Sequence, residues 1–185
     1  MLPGAIGRLF GRWSEPIGGT PAGLAAVLRW LAIVLRFYAG GLTGLVLGWL
    51  GLQNVAVLGN IGFIPYGYDK LLGGNARFGM DAGFFQTIGV PLPELTMILI
   101  GLLELFGGLA LIAGLLTRLF GFLLACNMLV AMLTVGNTAE ELPLFIACAL
   151  LVWTGGGMFS LDQLIDQRFG HTPARMDTAD RPMRT

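Results

Sequence analysis

Two ionisable residues lie inside long apolar runs of the sequence. Glu104 interrupts the run LIGLLELFGGLALIAGLLTR between Leu99 and Arg118, and Arg36 lies in the apolar stretch 24–64. A carboxylate in hydrocarbon costs several kcal/mol, so Glu104 must face protein and either meet a cation or take up a proton. A buried site of this kind is suited to relaying a proton or binding a polar ligand.

Small residues accompany both charges at helical spacing. Glu104 shares one helix face with glycines at −3, +3 and +4, namely Gly101, Gly107 and Gly108. Arg36 is followed at intervals of four residues by Gly40, Gly44 and Gly48. Because small residues let membrane helices approach closely, we expect the first two spans to pack through these faces and Arg36 to pair with Glu104. The alternative is that Arg36 extends to the cytoplasmic interface and that Glu104 is protonated.

The composition indicates an integral membrane protein. Of the 185 residues, 55% are hydrophobic and 12% are charged, whereas soluble domains carry about 25% charged residues. The lone His171 has no metal-ligand partners nearby, so no metal site is expected, and no basic block favours nucleic-acid binding. Cys126 and Cys148 lie in apolar runs without C-x-x-C spacing. We interpret them as small packing residues; the alternative is a disulfide or redox pair.

The apolar runs predict an all-α, polytopic bundle of four transmembrane helices. Because about 20 apolar residues cross a bilayer, we place the spans at about 25–50, 92–116, 119–136 and 142–158, within a membrane domain covering 24–160. Residues 51–88 form a long first external loop, since they contain many turn-forming residues. Residues 1–23 are expected to form an amphipathic cytoplasmic segment, and 161–185 a polar cytoplasmic tail.

Arginine placement predicts the orientation. With four spans, seven arginines fall on one side: Arg8, Arg12, Arg118, Arg168, Arg175, Arg181 and Arg184. Lys70 and Arg77 fall on the other. The positive-inside rule therefore predicts that both termini lie in the cytoplasm.

Two further polar groups lie close to the membrane. One face of the third span carries Asn127, Ala131 and Thr134. These residues either form packing contacts between helices or belong to a binding pocket. Tyr66, Asp69 and Lys70 cluster in the external loop. Asp69 and Lys70 form either a solvated local pair or the cap of a cavity above Glu104.

Several of these motifs resemble the DoxX family of small four-helix bacterial membrane proteins. The family pattern has an arginine in the first span, a His-Gly-x-x-Lys-Leu-like element, a glutamate before paired glycines, and a Gly-Leu-x-Thr-Arg turn. The positions that match it are Arg36, Gly67, Lys70, Leu71, Glu104, Gly107, Gly108, Gly114, Thr117 and Arg118, with Ser160 and Asp162 in a Ser-Leu-Asp ending. Tyr66 stands at the usual histidine, and the interval from Arg36 to Gly67 is about twice the usual spacing.

The resemblance implies membership of a membrane redox system, since relatives include a subunit of a thiosulfate:quinone oxidoreductase. We expect a quinone-interacting or non-catalytic subunit or anchor, with a quinone as the candidate ligand and any activity belonging to a quinone-linked oxidoreductase complex. Its partners would be the lipid bilayer, an oxidoreductase and further copies of the chain. The alternatives are a structural or assembly protein and, with less support, a transporter of small solutes, because the sequence shows no inverted repeat.

Overall fold

A computed structural model describes residues 22–42, 46, 62–74, 82–135, 138–157 and 159–169. Within these residues the protein is entirely helical, which confirms the predicted all-α class. Seven helices can be delimited in the described part of the chain: α1 (Ala22–Gly40), α2 (Phe63–Leu72), α3 (82–87), α4 (Pro93–Ala113), α5 (Thr117–Val135), α6 (Thr138–Thr154) and α7 (Leu161–Phe169). The predicted N-terminal segment and most of the polar tail lie outside the described residues.

Three helices are long and apolar enough to cross a membrane, over Gly23–Gly40, Pro93–Ala113 and Thr117–Thr134. The apolar part of α6, Glu141–Thr154, is shorter than these. These helices correspond to the four apolar stretches predicted as spans. Helix α1 ends at Gly40, and Gly41 after it adopts a φ of +93°. Such a φ favours glycine and interrupts a right-handed helix. Leu42 and Val46 are again helical, and the rest of the predicted first span up to residue 50 lies outside the described residues.

The helices pack as a bundle with α2 on one side. Helix α1 contacts α4 and α6, α4 contacts α5, and the pairing of α5 with α6 is the most extensive. Buried leucines fill the centre, among them Leu111, Leu124, Leu144 and Leu151. Large apolar side chains such as Phe106, Phe122 and Leu133 are exposed on the outer surface, as expected where lipid replaces water as the solvent.

Helix α2 corrects part of the sequence analysis, which assigned 51–88 to an external loop. Its Gly67 is buried against α4, and a Cβ there would overlap the backbone of Gly101 and Leu105. The turn-forming residues Pro65 and Gly67 do not prevent a helix here. A proline is tolerated in the first helical turn, and a glycine allows the backbones of two helices to touch.

Candidate functional site

Glu104 is the centre of a polar site formed by three helices. The Lys70 ammonium of α2 donates a hydrogen bond of 2.6 Å to Glu104 Oε2, which is also an ion pair. Asn127 Nδ2 of α5 donates a hydrogen bond of 2.9 Å to Glu104 Oε1. Only 2% of the Glu104 side chain is exposed, against 23% of the Lys70 side chain. The buried carboxylate therefore has a donor at each oxygen, which offsets its desolvation.

The glycines flanking Glu104 explain how its neighbours approach so closely. A Cβ on Gly101 would contact the side chains of Lys70 and Leu71, and one on Gly107 would contact Leu124 of α5. Both contacts would be at 3.3 Å or less. The glycine face predicted from the sequence thus accommodates α2 on one side of Glu104 and α5 on the other.

The predicted contact between the first two spans exists at one pair of glycines. Gly40 of α1 lies against α4, where a Cβ on Gly40 would be 2.9 Å from the Gly108 carbonyl oxygen. The other two members of the predicted α1 stripe, Gly44 and Gly48, lie outside the described residues. The helices therefore meet through small residues near Gly40, in the manner expected for membrane helices.

Arg36 does not lie at Glu104, which corrects the predicted pair. Its Nε and Nη2 donate hydrogen bonds of 2.8 Å and 2.6 Å to the carbonyl oxygens of Leu111 and Ile112. Its Nη1 donates a bond of 3.0 Å to the carbonyl oxygen of Gly156. Leu111 is seven residues beyond Glu104, or about 10 Å along the helix axis. Arg36 thus satisfies terminal carbonyls of α4, where the helix dipole favours a cation.

Asp162 lies close to Arg36 and caps the next helix. Its two carboxylate oxygens accept hydrogen bonds from the backbone N–H groups of Leu116 and Thr117, at 2.7 Å and 3.0 Å. Burial raises the pKa of the Asp162 carboxyl, while the two N–H donors and the Arg36 charge act in the opposite direction. We call Arg36, Gly114, Gly156 and Asp162 the capping cluster. It joins α1 and α7 to the turn between α4 and α5.

A cavity of about 330 Å³ lies beside Glu104. Its polar wall consists of Tyr66, Asp69, Lys70, Glu104, Asn127, Thr134 and Glu141. Its apolar wall consists of Phe84, Phe85, Ile100, Met128, Val130 and Ala131. The two further polar groups of the sequence analysis, Tyr66, Asp69 and Lys70 of the external loop and Asn127, Ala131 and Thr134 of the third span, therefore line one cavity together with Glu104.

The cavity combines one strong ion pair with aromatic surfaces. Lys70 Nζ lies 5.6 Å from the centroid of the Tyr66 ring, which is within the range of a cation–π interaction. The rings of Phe84 and Phe85 are 6.0 Å apart and arranged edge to face. Such a cavity, apolar with a few convergent polar groups, is the usual form of a small-molecule site.

Sequence reasoning missed six residues of this cavity, among them Phe84, Phe85 and Glu141. Phe84 and Phe85 belong to a stretch assigned to a loop, and Glu141 belongs to the polar turn GNTAEE between two predicted spans. An exposed turn carboxylate has the same local sequence signal as a buried one, so Glu141 could not be recognised. Among the described residues no group of His, Cys, Asp and Glu is arranged to hold a metal ion. Cys126 is exposed and Cys148 buried, and both are free thiols.

The fold and the site together define a multi-pass α-helical membrane protein with a polar site buried between its helices. The model of the DoxX family matches residues 56–137, so this part of the chain is similar to DoxX proteins. Neither the comparison with curated proteins nor that with solved structures gives a significant match. The matched segment includes Lys70, Glu104 and Asn127, whereas Arg36 and Asp162 lie outside it.

Proposed function

We propose that the cavity beside Glu104 binds the headgroup of a membrane quinone, and that the protein is a quinone-interacting subunit of a membrane redox system. The observation that carries the proposal is the cavity itself, in which the Lys70–Glu104–Asn127 network faces a wall of aromatic and aliphatic side chains. The resemblance to a family with a quinone-linked member adds support. The electron-carrying group would belong to a partner oxidoreductase.

The chemistry of the cavity suits such a ligand. A quinone headgroup is a flat, apolar ring with two carbonyl acceptors. The Lys70 ammonium has three N–H donors and the Asn127 amide has two, and each of these side chains uses one donor in its bond to Glu104. The remaining donors suit the carbonyl oxygens, and Phe84 and Phe85 offer ring faces and edges for packing. The cavity volume lies near the lower end of the range for small-molecule sites.

The proposal places the protein in the bacterial inner membrane with both termini in the cytoplasm. This orientation rests on the arginine distribution and on four crossings, α1, α4, α5 and α6. The cavity would then lie toward the external side, because α6 begins beside it with Glu141 and α2 precedes the inward crossing of α4. Association with further copies of the chain remains part of the proposal.

A binding measurement with a cavity-filling variant tests the proposed ligand. The full-length protein in lipid nanodiscs is titrated with a short-chain ubiquinone analogue by calorimetry. Ala131→Phe fills the cavity, while Cys126→Phe introduces the same side chain at an exposed position of the same helix. We expect saturable binding by wild type and Cys126→Phe, and at least tenfold weaker binding by Ala131→Phe. Absence of binding by the wild type, or equal binding by all three, would overturn the proposal.

A structural function is the second candidate, because the Lys70–Glu104–Asn127 network ties α2 and α5 to α4. In that case the network fixes how the helices pack, and the cavity has no ligand. The double substitution Lys70→Met/Glu104→Met separates the two functions. A purely structural network predicts that the apolar variant keeps both its fold and its cellular function, whereas a quinone site predicts a folded protein without quinone binding.

A further inference from the structure

The cavity is lined by three carboxylates, Asp69, Glu104 and Glu141, of which the DoxX match does not cover Glu141. Glu141 lies in the first turn of α6 and lines the same cavity as Lys70 of α2. Its Oε2 atom is buried and has no hydrogen-bond partner within the described part of the chain. A buried polar atom of this kind is costly unless something binds to it, so its position in a cavity wall points to a ligand.

The charges around the cavity decide what kind of ligand group fits Glu141. Glu104 already accepts hydrogen bonds from Lys70 and Asn127, and the Lys70 charge is compensated by Glu104. Asp69, the other carboxylate of the wall, has an interaction within the chain. Of the three carboxylates of the wall, Glu141 is therefore the one that remains to accept a hydrogen bond from a ligand. The N-terminal end of α6 favours its negative charge. A carboxylate accepts hydrogen bonds and donates none, so it suits a hydroxyl group of the ligand and not a carbonyl.

Resting on the proposed quinone site, we propose that Glu141 makes the cavity selective for the reduced, dihydroxy form of the ligand, the hydroquinone. One hydroxyl of the hydroquinone donates a hydrogen bond to the Glu141 carboxylate. The other ring oxygen accepts from Lys70 or Asn127 across the cavity. The oxidised quinone, with two carbonyls, satisfies the donors but leaves Glu141 without a partner and places a carbonyl oxygen beside a carboxylate. The preference for the hydroquinone thus has two sources: the hydrogen bond that it donates to Glu141, and the unsatisfied Glu141 acceptor in the complex with the quinone.

The test compares both oxidation states of one soluble ligand. Trimethylhydroquinone and trimethylbenzoquinone are titrated separately into the full-length protein in nanodiscs under anaerobic conditions. The variants are Glu141→Met, which removes the acceptor, and Glu94→Met, which changes an exposed glutamate in the first turn of α4, outside the cavity. We expect wild type and Glu94→Met to bind the hydroquinone about tenfold more tightly than the quinone. Glu141→Met should lower hydroquinone affinity to within about twofold of the quinone affinity, with quinone affinity unchanged or raised.

The outcomes separate this inference from the proposed function. If the wild type binds both forms equally, or if Glu141→Met keeps the preference for the hydroquinone, the inference is wrong while the quinone site stands. If neither form binds, the proposed function itself fails. Thermal unfolding of each variant is measured in parallel, and Glu141→Gln, which is isosteric and uncharged, replaces Glu141→Met if the latter is misfolded. A retained preference in a folded Glu141→Gln protein would equally overturn the inference, since its amide is a weaker acceptor than the carboxylate.

Discussion

Lys70 Nζ lies 2.6 Å from Glu104 Oε2, so a cation from the helix after the first span neutralises the carboxylate buried in the second. The two residues are 34 positions apart, and the contact exists because α2 packs directly on α4. This ion pair, with Asn127, sets both the electrostatics of the cavity and the position of α2.

The ion pair predicts a non-additive response to mutation. Lys70→Met leaves a buried carboxylate without its cation, and Glu104→Met leaves an ammonium without its anion, so each single variant should be destabilised. The double variant should be less destabilised than the sum of the two, with a coupling of about 1–3 kcal/mol. The measurement is the free energy of unfolding by chemical denaturation in detergent micelles. Additive effects would show that the contact contributes nothing to stability.

Arg36 is predicted to stabilise the fold independently of Glu104. Arg36→Met removes the donors of three backbone carbonyls and should lower the free energy of unfolding by more than about 3 kcal/mol. Arg168→Met, at an exposed arginine of α7, should change it by less than about 0.5 kcal/mol. In a cycle with Glu104→Met, the Arg36→Met effect should be additive, because the sites are separated by about 10 Å. Strong coupling in that double-mutant cycle would show that Arg36 and Glu104 interact directly.

Gly67 is predicted to control the position of α2. Gly67→Ala places a methyl group on the backbone of α4, and should cost about 1–3 kcal/mol and weaken quinone binding by displacing Lys70. Gly83→Ala is the matched control, since a Cβ at Gly83 has no heavy atom within 4 Å. Thermal unfolding and the nanodisc titration are measured for both variants. If Gly67→Ala behaves like Gly83→Ala, α2 does not lie as closely on α4 as the structure has it.

The proposed membrane topology predicts which positions a membrane-impermeant maleimide can reach. In a background with both native cysteines replaced by serine, Thr87→Cys and Gln167→Cys introduce exposed thiols before α4 and on α7. With four crossings and cytoplasmic termini, Thr87→Cys should be modified in intact spheroplasts and Gln167→Cys only after permeabilisation. Modification of both in intact spheroplasts would contradict the three crossings, α4, α5 and α6, that separate the two positions. The reverse pattern would invert the orientation.

Local features of the sequence sufficed for several parts of this protein. Hydropathy and run length predicted the apolar helices, because the 20-residue requirement of a bilayer acts on each segment separately. The stripe of Gly101, Gly107 and Gly108 predicted that Glu104 faces other helices, because helical periodicity is a property of one helix. The turn between α4 and α5 was predicted from LLTRLF, where Gly114 adopts the left-handed conformation that ends α4.

Only the tertiary structure decided which partner each charge has. The small-residue faces predicted that Arg36 and Glu104 meet. A packing face, however, does not fix which neighbouring helix a charged side chain meets, nor how far a long side chain extends along it. Arg36 extends to the end of α4, where it donates to the carbonyl oxygens of Leu111 and Ile112 in the last turn. Glu104 meets Lys70 because Gly67 brings α2 onto α4. Glu141 joins the cavity because α6 packs on α5. The local sequence around Glu141 does not encode this contact between two helices.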